Sequence, residues 1–580
     1  MTKVDSIPGF QPMPTPKKAA IGEVLVLFAL IALLAAEQVP GVNESHYLPK
    51  AKHLFNRSFC PGDLFFESYD AHGLAAGLAG FLAIWLPLPA VAWIGRALSW
   101  LCLAWAWRNL RLAMGLHWIV GCLALSSWYF AIVYGNWAGE WAIGGFEGKS
   151  LAYPCIIVAL AELFRDRWAR VWVWLGLAVA WHPLAGGWAG LSFGIAWLCL
   201  PGLWQRARAQ AGWLALATAM GLVGVIPAGL GLNSPNQVGN LVASQIHVYK
   251  RLAHHQCPSL FAFDRHLAGG ISLALLIAAT ILAWCIHRKN NHQLRRQDPV
   301  AWLLKLAWIA VAFSAVGLLI DRALSHSHPI FASQLLRFYW FRWSDIAVPL
   351  AWTLTFWKCV EVNLQDPPNS SGATSPHRID KLRAGKPLVS EQIASPEPPG
   401  SRRWAWAAQI IAGLLVLILM VRHTQANFAR QYPPADDILM HAPVNRRIET
   451  DRYIDWLAAC DWAQKNSPPD SLWLTPEHQQ TFKWYAGRAE VVCWKDVPQD
   501  NASVRAWYER IVLCRQPRTP TDERTEWTSE KILALARLYG FRWVLVDRGT
   551  QVNALHKLEL MYPIKTQNKS FAIFRIIEVY

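Results

Sequence analysis

Charge is what this sequence has least of. Only 16% of its 580 residues are Asp, Glu, Lys or Arg, against 54% hydrophobic, which is too little polar surface for a soluble chain of this length. No two of its 11 cysteines stand at CxxC spacing, which argues against a zinc module. A cleavable signal is missing too. After Lys17 and Lys18 the apolar run from Ala19 to Ala36 is long enough to span and has no clear cleavage site. Acid is scarcer than base, 39 against 55, for a formal charge of +16. The excess base falls in short loops between apolar runs, so it reads as a topology signal and excludes nucleic acid as a partner. What remains is a multi-pass membrane protein, and its 34 tryptophans suit many helix ends at headgroup level.

Apolar segments near 19–37, 91–107, 112–133, 151–163, 171–181, 188–203, 211–231, 269–286, 300–320, 346–360 and 404–421 predict an α-helical polytopic membrane protein of about 11 spans. Alternate crossing puts Lys17/Lys18, Arg108/Arg111, Arg165/Arg167/Arg170, Arg206/Arg208 and Arg288/Lys289/Arg295/Arg296 on one side, which should be the cytoplasm. Residues 74–88 are left over; a re-entrant or interfacial helix is preferred there to a further pass. Segments 151–163 and 171–181 fall short of the roughly 17 residues a simple span needs, so broken or half-spanning helices are expected.

The expected organisation is a cytoplasmic N-terminus (1–18) and a transmembrane domain (19–363) with outer loops 38–73, 134–150, 232–268 and 321–345. A disordered cytoplasmic linker (364–403) and a last helix (404–421) follow. Beyond residue 430 the composition changes. "DRYIDWLAACDWAQKNSPPDSLWLTP" reads as amphipathic helix, turn and strand, "SEKILALARLYGFRWVLVDRG" as helix, glycine stop and buried strand, and "SFAIFRIIEV" as a final strand. This predicts a C-terminal extracytoplasmic α/β domain over 430–580. The setting expected is a bacterial inner membrane, with the N-terminus cytoplasmic and this domain periplasmic.

On the outer side this topology gathers Glu44, His46, Asp63, Glu67, Asp70 and His72, then Glu140, Glu147 and Lys149 in "GEWAIGGFEGKSLAYP", then His182 in "AWHPLAGGW". His247, Lys250, Arg251, His254 and His255 follow in "SQIHVYKRLAHHQC", and His326, His328, Arg337, Arg342 and Asp345 in "SHSHPIFASQLLRFYWFRWSD". Acids come early and cations late, all at one face, and outer cations run against the positive-inside trend. Displacement of a phosphate leaving group from a membrane-embedded lipid needs such a set. A carboxylate takes the acceptor's proton while Arg, Lys or His neutralises the departing phosphate. Singly, each residue is as well explained by solvation, by snorkelling (Arg337, Arg342) or by capping (Asp70). No pair at helical spacing argues for a metal.

The first loop, opening with an acid in "VNESHYLPKAKHLF", the acidic second loop and the later basic loops resemble the C-type glycosyltransferases, which use polyprenyl-phosphate-linked sugars. So does "WLAACDWAQKNSPPDSLWLTP", which is similar to a helix-turn-strand of several such enzymes. The stretches "GEW…GG.E.K..AY", "HPL.GGW" and "Y.GRAEVV.WKD.P" resemble, over nearly the whole chain, a group of bacterial multi-pass proteins of unknown function. The glycosyltransferase resemblance implies inverting sugar transfer at the outer face from a lipid-linked donor. Glu44 then matches the general base, and Glu140 or Glu147 the second-loop acid that positions the acceptor or, in some members, a divalent metal ion. Lys250, Arg251, Arg337 or Arg342 would hold the lipid phosphate, with His46, Glu67, Asp70, His72, Lys149, His182 and His247 lining the substrate's path. The chain departs from the family in having no acidic pair at the start of the first loop and no Trp-Trp-Asp signature. Transfer to protein asparagine is therefore not expected.

Two other classes fit the same composition. A transporter or flippase for an anionic lipid-linked glycan would also need outer cations and broken helices, though no inverted repeat is visible. A non-catalytic scaffold displaying the C-terminal domain would need none of the polar residues. Cys60 with Cys257, or two of Cys460, Cys493 and Cys514, could pair in an oxidising compartment, and free buried thiols are the equal alternative.

Overall fold

The computed structural model describes residues 17–232, 237–289, 298–362, 399–441, 449–515, 527–549, 555–564 and 568–577. The expected cytoplasmic N-terminus before Lys17, Arg295, Arg296 and linker residues 364–398 lie outside the described residues. The first helices are α1 Lys17–Ala35, α2 Glu44–Phe55, α3 Leu64–Glu67, α4 Gly73–Trp85, α5 Leu88–Met114 and α6 Trp118–Gly135. Then come α7 Gly148–Phe164, α8 Trp168–Trp181, α9 Pro183–Leu198 and α10 Leu203–Leu232. After α11 Gln237–Gln245, a π-helical turn Ile246–Arg251 and α12 Ala253–Gln256 lead to α13 Phe263–Lys289 and α14 Pro299–Leu324. The helical part ends with α15 Pro329–Leu336, α16 Ser344–Val362 and α17 Pro399–Ala429.

Among the described residues seven helices, α1, α5, α6, α10, α13, α14 and α17, are long and apolar enough to cross a membrane. The chain is thus a membrane-embedded helical protein. The shorter α7, α8 and α9 are not lipid-length spans. Every residue of α7 is buried, and it packs against α5, α8 and α9 at the centre of the bundle. Residues 74–88 form α4, whose 13 residues are too few to span, before Pro87 turns the chain into α5.

Two boundaries differ from those read in the sequence. Helix α5 runs on through Arg108 and Arg111 to Met114 and stops at Gly115, whose φ of 65° supplies a left-handed cap. Both arginines therefore lie in its last turns and not in a loop. There they grip Glu23 of α1, Arg111 at 2.5 and 2.7 Å and Arg108 at 3.1 Å. The last helix begins at Pro399, inside the stretch 364–403 expected to be a disordered linker.

The C-terminal part holds α18 Asp437–Met440, α19 Glu449–Asn466, α20 Phe482–Ala486, α21 Asn501–Cys514 and α22 Ser529–Tyr539. Its strands are β1 Leu472–Leu474, β2 Ala489–Glu490, β3 Trp543–Asp547, β4 Glu559–Tyr562 and β5 Phe571–Arg575. They form one sheet in the order β2-β1-β3-β5-β4, parallel across the first three and antiparallel thereafter. The period-2 alternation of a strand divides β3 between two cores. Trp543 and Leu545 pack with Trp456 and Phe571, and Val544 and Val546 with Trp507 and Trp527. Thr528 caps α22 and Gly540, at φ 77°, ends it. All eleven cysteines are free thiols, so neither disulfide alternative forms.

Candidate active site

The loops before α2, between α6 and α7, after α11 and after α15 meet at one end of the bundle, where the C-terminal domain docks. Its segment Trp494–Asn501 is the plug. Gln499 accepts from the Ala71 backbone at 2.7 Å and meets His72 Nδ1 at 2.8 Å. Asp500 accepts from the Tyr69 backbone at 3.1 Å. Asn501 accepts from Arg337 at 3.2 Å and donates to the Leu232 carbonyl at 2.6 Å.

Two of the three acids matched to catalysis sit together. Lys149 Nζ lies 3.1 Å from both Glu140 and Glu147 and 3.9 Å from the Trp141 ring centre. Glu140 also accepts from Tyr153 at 3.1 Å and pairs with Arg342 at 2.6 Å. Glu147 precedes α7 and caps it through a capping box with Ser150, and its other oxygen accepts from Asn43 at 3.0 Å. Gly148 lets this corner close. A Cβ there would stand 2.6 Å from the Trp181 carbonyl oxygen, so Gly148→Ala is expected to push α7 off α8. The cost should be about 1–3 kcal/mol, read as a lower thermal midpoint and a displaced Glu147.

Glu44 has a different environment. Its carboxylate is 1% exposed and holds Arg96 in a two-point pair at 2.8 and 2.6 Å, while accepting from the Gly41 and Phe146 backbones at 2.8 Å each. Four donors occupy its two oxygens. Arg96 reaches on to the Glu37 carbonyl at 2.6 Å. Glu44 therefore ties the first loop to the residue just before Glu147.

His182, between α8 and α9, accepts on Nδ1 from the Ala185 backbone at 3.2 Å, and its Nε2 lies 3.3 Å from Arg342. A neutral imidazole has one acceptor nitrogen. With Nδ1 committed to a fixed backbone donor, Nε2 carries the hydrogen, so two donors stand side by side with no acceptor between them. The His72 ring is 5.0 Å away, and Asp70 accepts from the His72 backbone at 2.7 Å. Arg342 stacks on Tyr339 at 4.2 Å. That tyrosine holds a φ of 55°, a conformation costly for a bulky residue and commonest where surroundings enforce it.

Beside this acid-rich half lies a cationic one, with His46, His247, Arg251 and Arg337 from the sequence reading and Lys495 from the C-terminal domain. Burial first, then Lys495 and Arg251, pushes the His46 imidazole well below its usual range. Burial with Arg337 and Arg251 takes His247 to about 3. His72 and His182 are lowered as well, again chiefly by burial. All four bind fewer protons folded than unfolded, so their contribution to stability is complete above about pH 6.5 and lost as pH falls toward the folded values. Glu37, Asp345, Asp436, Glu490 and Asp496, raised by burial, work in the opposite sense, Asp345 and Glu490 at about 7 and Asp436 at about 6.

Two candidates stand apart. Glu67 is half exposed and pairs with His53 at 3.3 Å and Arg57 at 3.6 Å, away from the cleft. Lys250 is exposed. Asp63 belongs to a structural cage, where Lys483 meets it at 3.1 Å, Glu490 at 3.2 Å, and Asp496. The sequence reading missed Tyr47, Tyr153, Tyr339, Lys495, Gln499 and Asn501. The density of charged and amide residues in "WKDVPQDN" was the one available signal.

A divalent ion between Glu140 and Glu147 does not fit. The Lys149 ammonium already stands between the two carboxylates. Close to the polar cluster lies a narrow apolar cavity of about 20 Å³, lined by Tyr153, Ile156, Ile157, Phe193, Leu306, Trp343 and Leu350 among others. Tyr153 belongs to both, because its hydroxyl bonds Glu140.

Residues 454–514 match the profile of a domain of unknown function, DUF6798. No curated protein matches the chain. Among solved structures the chain is similar to ArnT from Cupriavidus metallidurans bound to undecaprenyl phosphate, at 13% identity and a TM-score of 0.45, over 96% of this chain and 97% of that one.

Proposed function

We propose that the chain is a membrane glycosyltransferase of the C type. It would transfer a sugar from a polyprenyl-phosphate-type donor to an acceptor hydroxyl at the outer face of the membrane, with inversion. The observation that carries this reading is the cluster around Glu140 and Glu147, where the Arg342 guanidinium and His182 Nε2 stand 3.3 Å apart as paired donors with no acceptor between them. Such a pair suits a phosphate oxygen.

In this reading Glu147 is the general base. It faces Tyr47, His72 and Lys495, each of which feels its charge. It takes the proton as the acceptor oxygen bonds to the anomeric carbon, and the sugar–phosphate C–O bond breaks with its electron pair leaving on phosphate. Arg342 and the His182 Nε2–H supply the paired donors for that oxygen, and Arg251 and Arg337 add charge. Glu140 holds Lys149 and Arg342 in place, and Glu44 is a strut. A polyprenyl phosphate bearing a photoreactive group on its tail tests whether the tail reaches the apolar lining beside Tyr153. Labelling is expected in α7 and α16, competed by unlabelled lipid; labelling confined to the outer helix surfaces would contradict it.

A further inference from the structure

Four desolvated cations at this end of the protein rest on carboxylates: Arg96, Lys149, Arg342 and Lys483. Four rest on neutral oxygens. Buried Lys50 donates to Ser68 at 3.0 Å and to the Tyr69 carbonyl at 3.2 Å, and the charges it feels are those of Asp70, Asp500 and Asp63. The other three are Arg251 and the half-buried Arg337 and Lys495. Arg251 donates to the carbonyls of Trp494 at 3.0 Å and Lys495 at 3.4 Å. Arg337 donates to Ser244 at 3.0 Å and to the Asn501 amide oxygen at 3.2 Å. Lys495 Nζ donates to the Asn43 amide oxygen at 3.0 Å. Arg251, Arg337 and Lys495 form no ion pair among the described residues. They come from three separate parts of the chain, the π-helical turn, the end of α15 and the C-terminal domain; Arg251 and Arg337 flank Tyr339, and Lys495 lies beside Arg251. Burial and then Arg251 lower the Lys495 ammonium to about 8. Next to them the Nδ1 atoms of His46 and His247 are buried with no hydrogen-bond partner among the described residues.

A buried charge without a counter-charge is costly, so the protein gains nothing from three that repel one another. Their place is explained by a polyanion that is bound there. A departing lipid monophosphate carries about two negative charges near neutrality, which Arg251 and Arg337 can balance. Lys495 is then in excess. Resting on the reading above, we propose that the leaving group is a diphosphate, so that the donor is a polyprenyl-diphosphate-linked saccharide, and that Lys495 specifies the second phosphate. The bond broken is the sugar–diphosphate C–O bond, the electron pair departs on the diphosphate, and the acceptor's proton goes to Glu147. Asn43 bridges Lys495 and Glu147 at 3.0 Å on each side, so it couples the second phosphate to the base.

The test measures binding of farnesyl diphosphate and farnesyl monophosphate, matched in tail, to the full chain in lipid nanodiscs. Wild type is expected to favour the diphosphate by about tenfold or more, equivalent to 1.4 kcal/mol. In Lys495→Gln that ratio should fall to near one, and in Lys495→Arg it should largely return, with thermal midpoints confirming that both variants fold. Equal affinities in wild type, or a ratio that survives Lys495→Gln, would overturn the diphosphate. So would farnesyl monophosphate and inorganic phosphate binding together as tightly as the diphosphate, because the second phosphate would then belong to the acceptor. If neither farnesyl compound binds, the glycosyltransferase reading itself fails.

Discussion

Glu147→Gln is expected to lower sugar transfer by about 10²–10⁴-fold, the usual contribution of a positioned general base, with the thermal midpoint nearly unchanged. The isostere keeps the Asn43 contact and much of the helix cap, because an amide oxygen can still accept from the α7 backbone. It removes the group that can take a proton. Donor affinity should change little, so the loss appears in kcat rather than KM. Glu140→Gln should instead raise KM as well, since Lys149 and Arg342 both depend on that carboxylate for position. If Glu147→Gln turns over at the wild-type rate, Glu147 is a helix cap and nothing more.

Glu44→Ala should act on stability. It strips the two-point partner from Arg96, a side chain with no exposure, and leaves the Gly41 and Phe146 N–H groups without their acceptor. Removing one member of a buried pair costs about 3–5 kcal/mol because the other charge stays buried. The double variant Glu44→Ala/Arg96→Met removes both charges and should recover part of that loss, and comparing single and double variants isolates the charge term. Thermal unfolding in detergent reads it directly. A Glu44→Ala protein with an unchanged midpoint and no turnover would return the role of base to Glu44.

These two residues also mark how far the sequence could be read. The apolar segments, the helix-glycine-strand run ending at Trp543–Asp547 and the late basic loops were legible because period and composition are local properties. Which carboxylate is locked in a two-point arginine pair was not. Glu44 and Glu147 look equivalent as loop acids, and the difference lies in Arg96, 52 residues further on in α5, where it reads as one charge in an apolar helix. Lys495 was invisible for the same reason. Its part in the cleft depends on how the C-terminal domain docks, and that is set by Gln499, Asp500 and Asn501 meeting loops more than 250 residues away. The ends of α5 and α17 were misplaced because charged residues near helix ends read as loop, although Arg108 and Arg111 share the Glu23 carboxylate within the bundle.

The central claim is that this cleft transfers a sugar from a lipid carrier. Purified full-length protein in nanodiscs, given radiolabelled polyprenyl-diphosphate and polyprenyl-phosphate sugars with a cell-envelope extract as acceptor, tests it most directly. The account expects lipid-free labelled product from wild type, and about 10²-fold less or lower from Glu147→Gln at equal folded protein. Label that stays on the lipid with every donor, in wild type as in the variant, would contradict it.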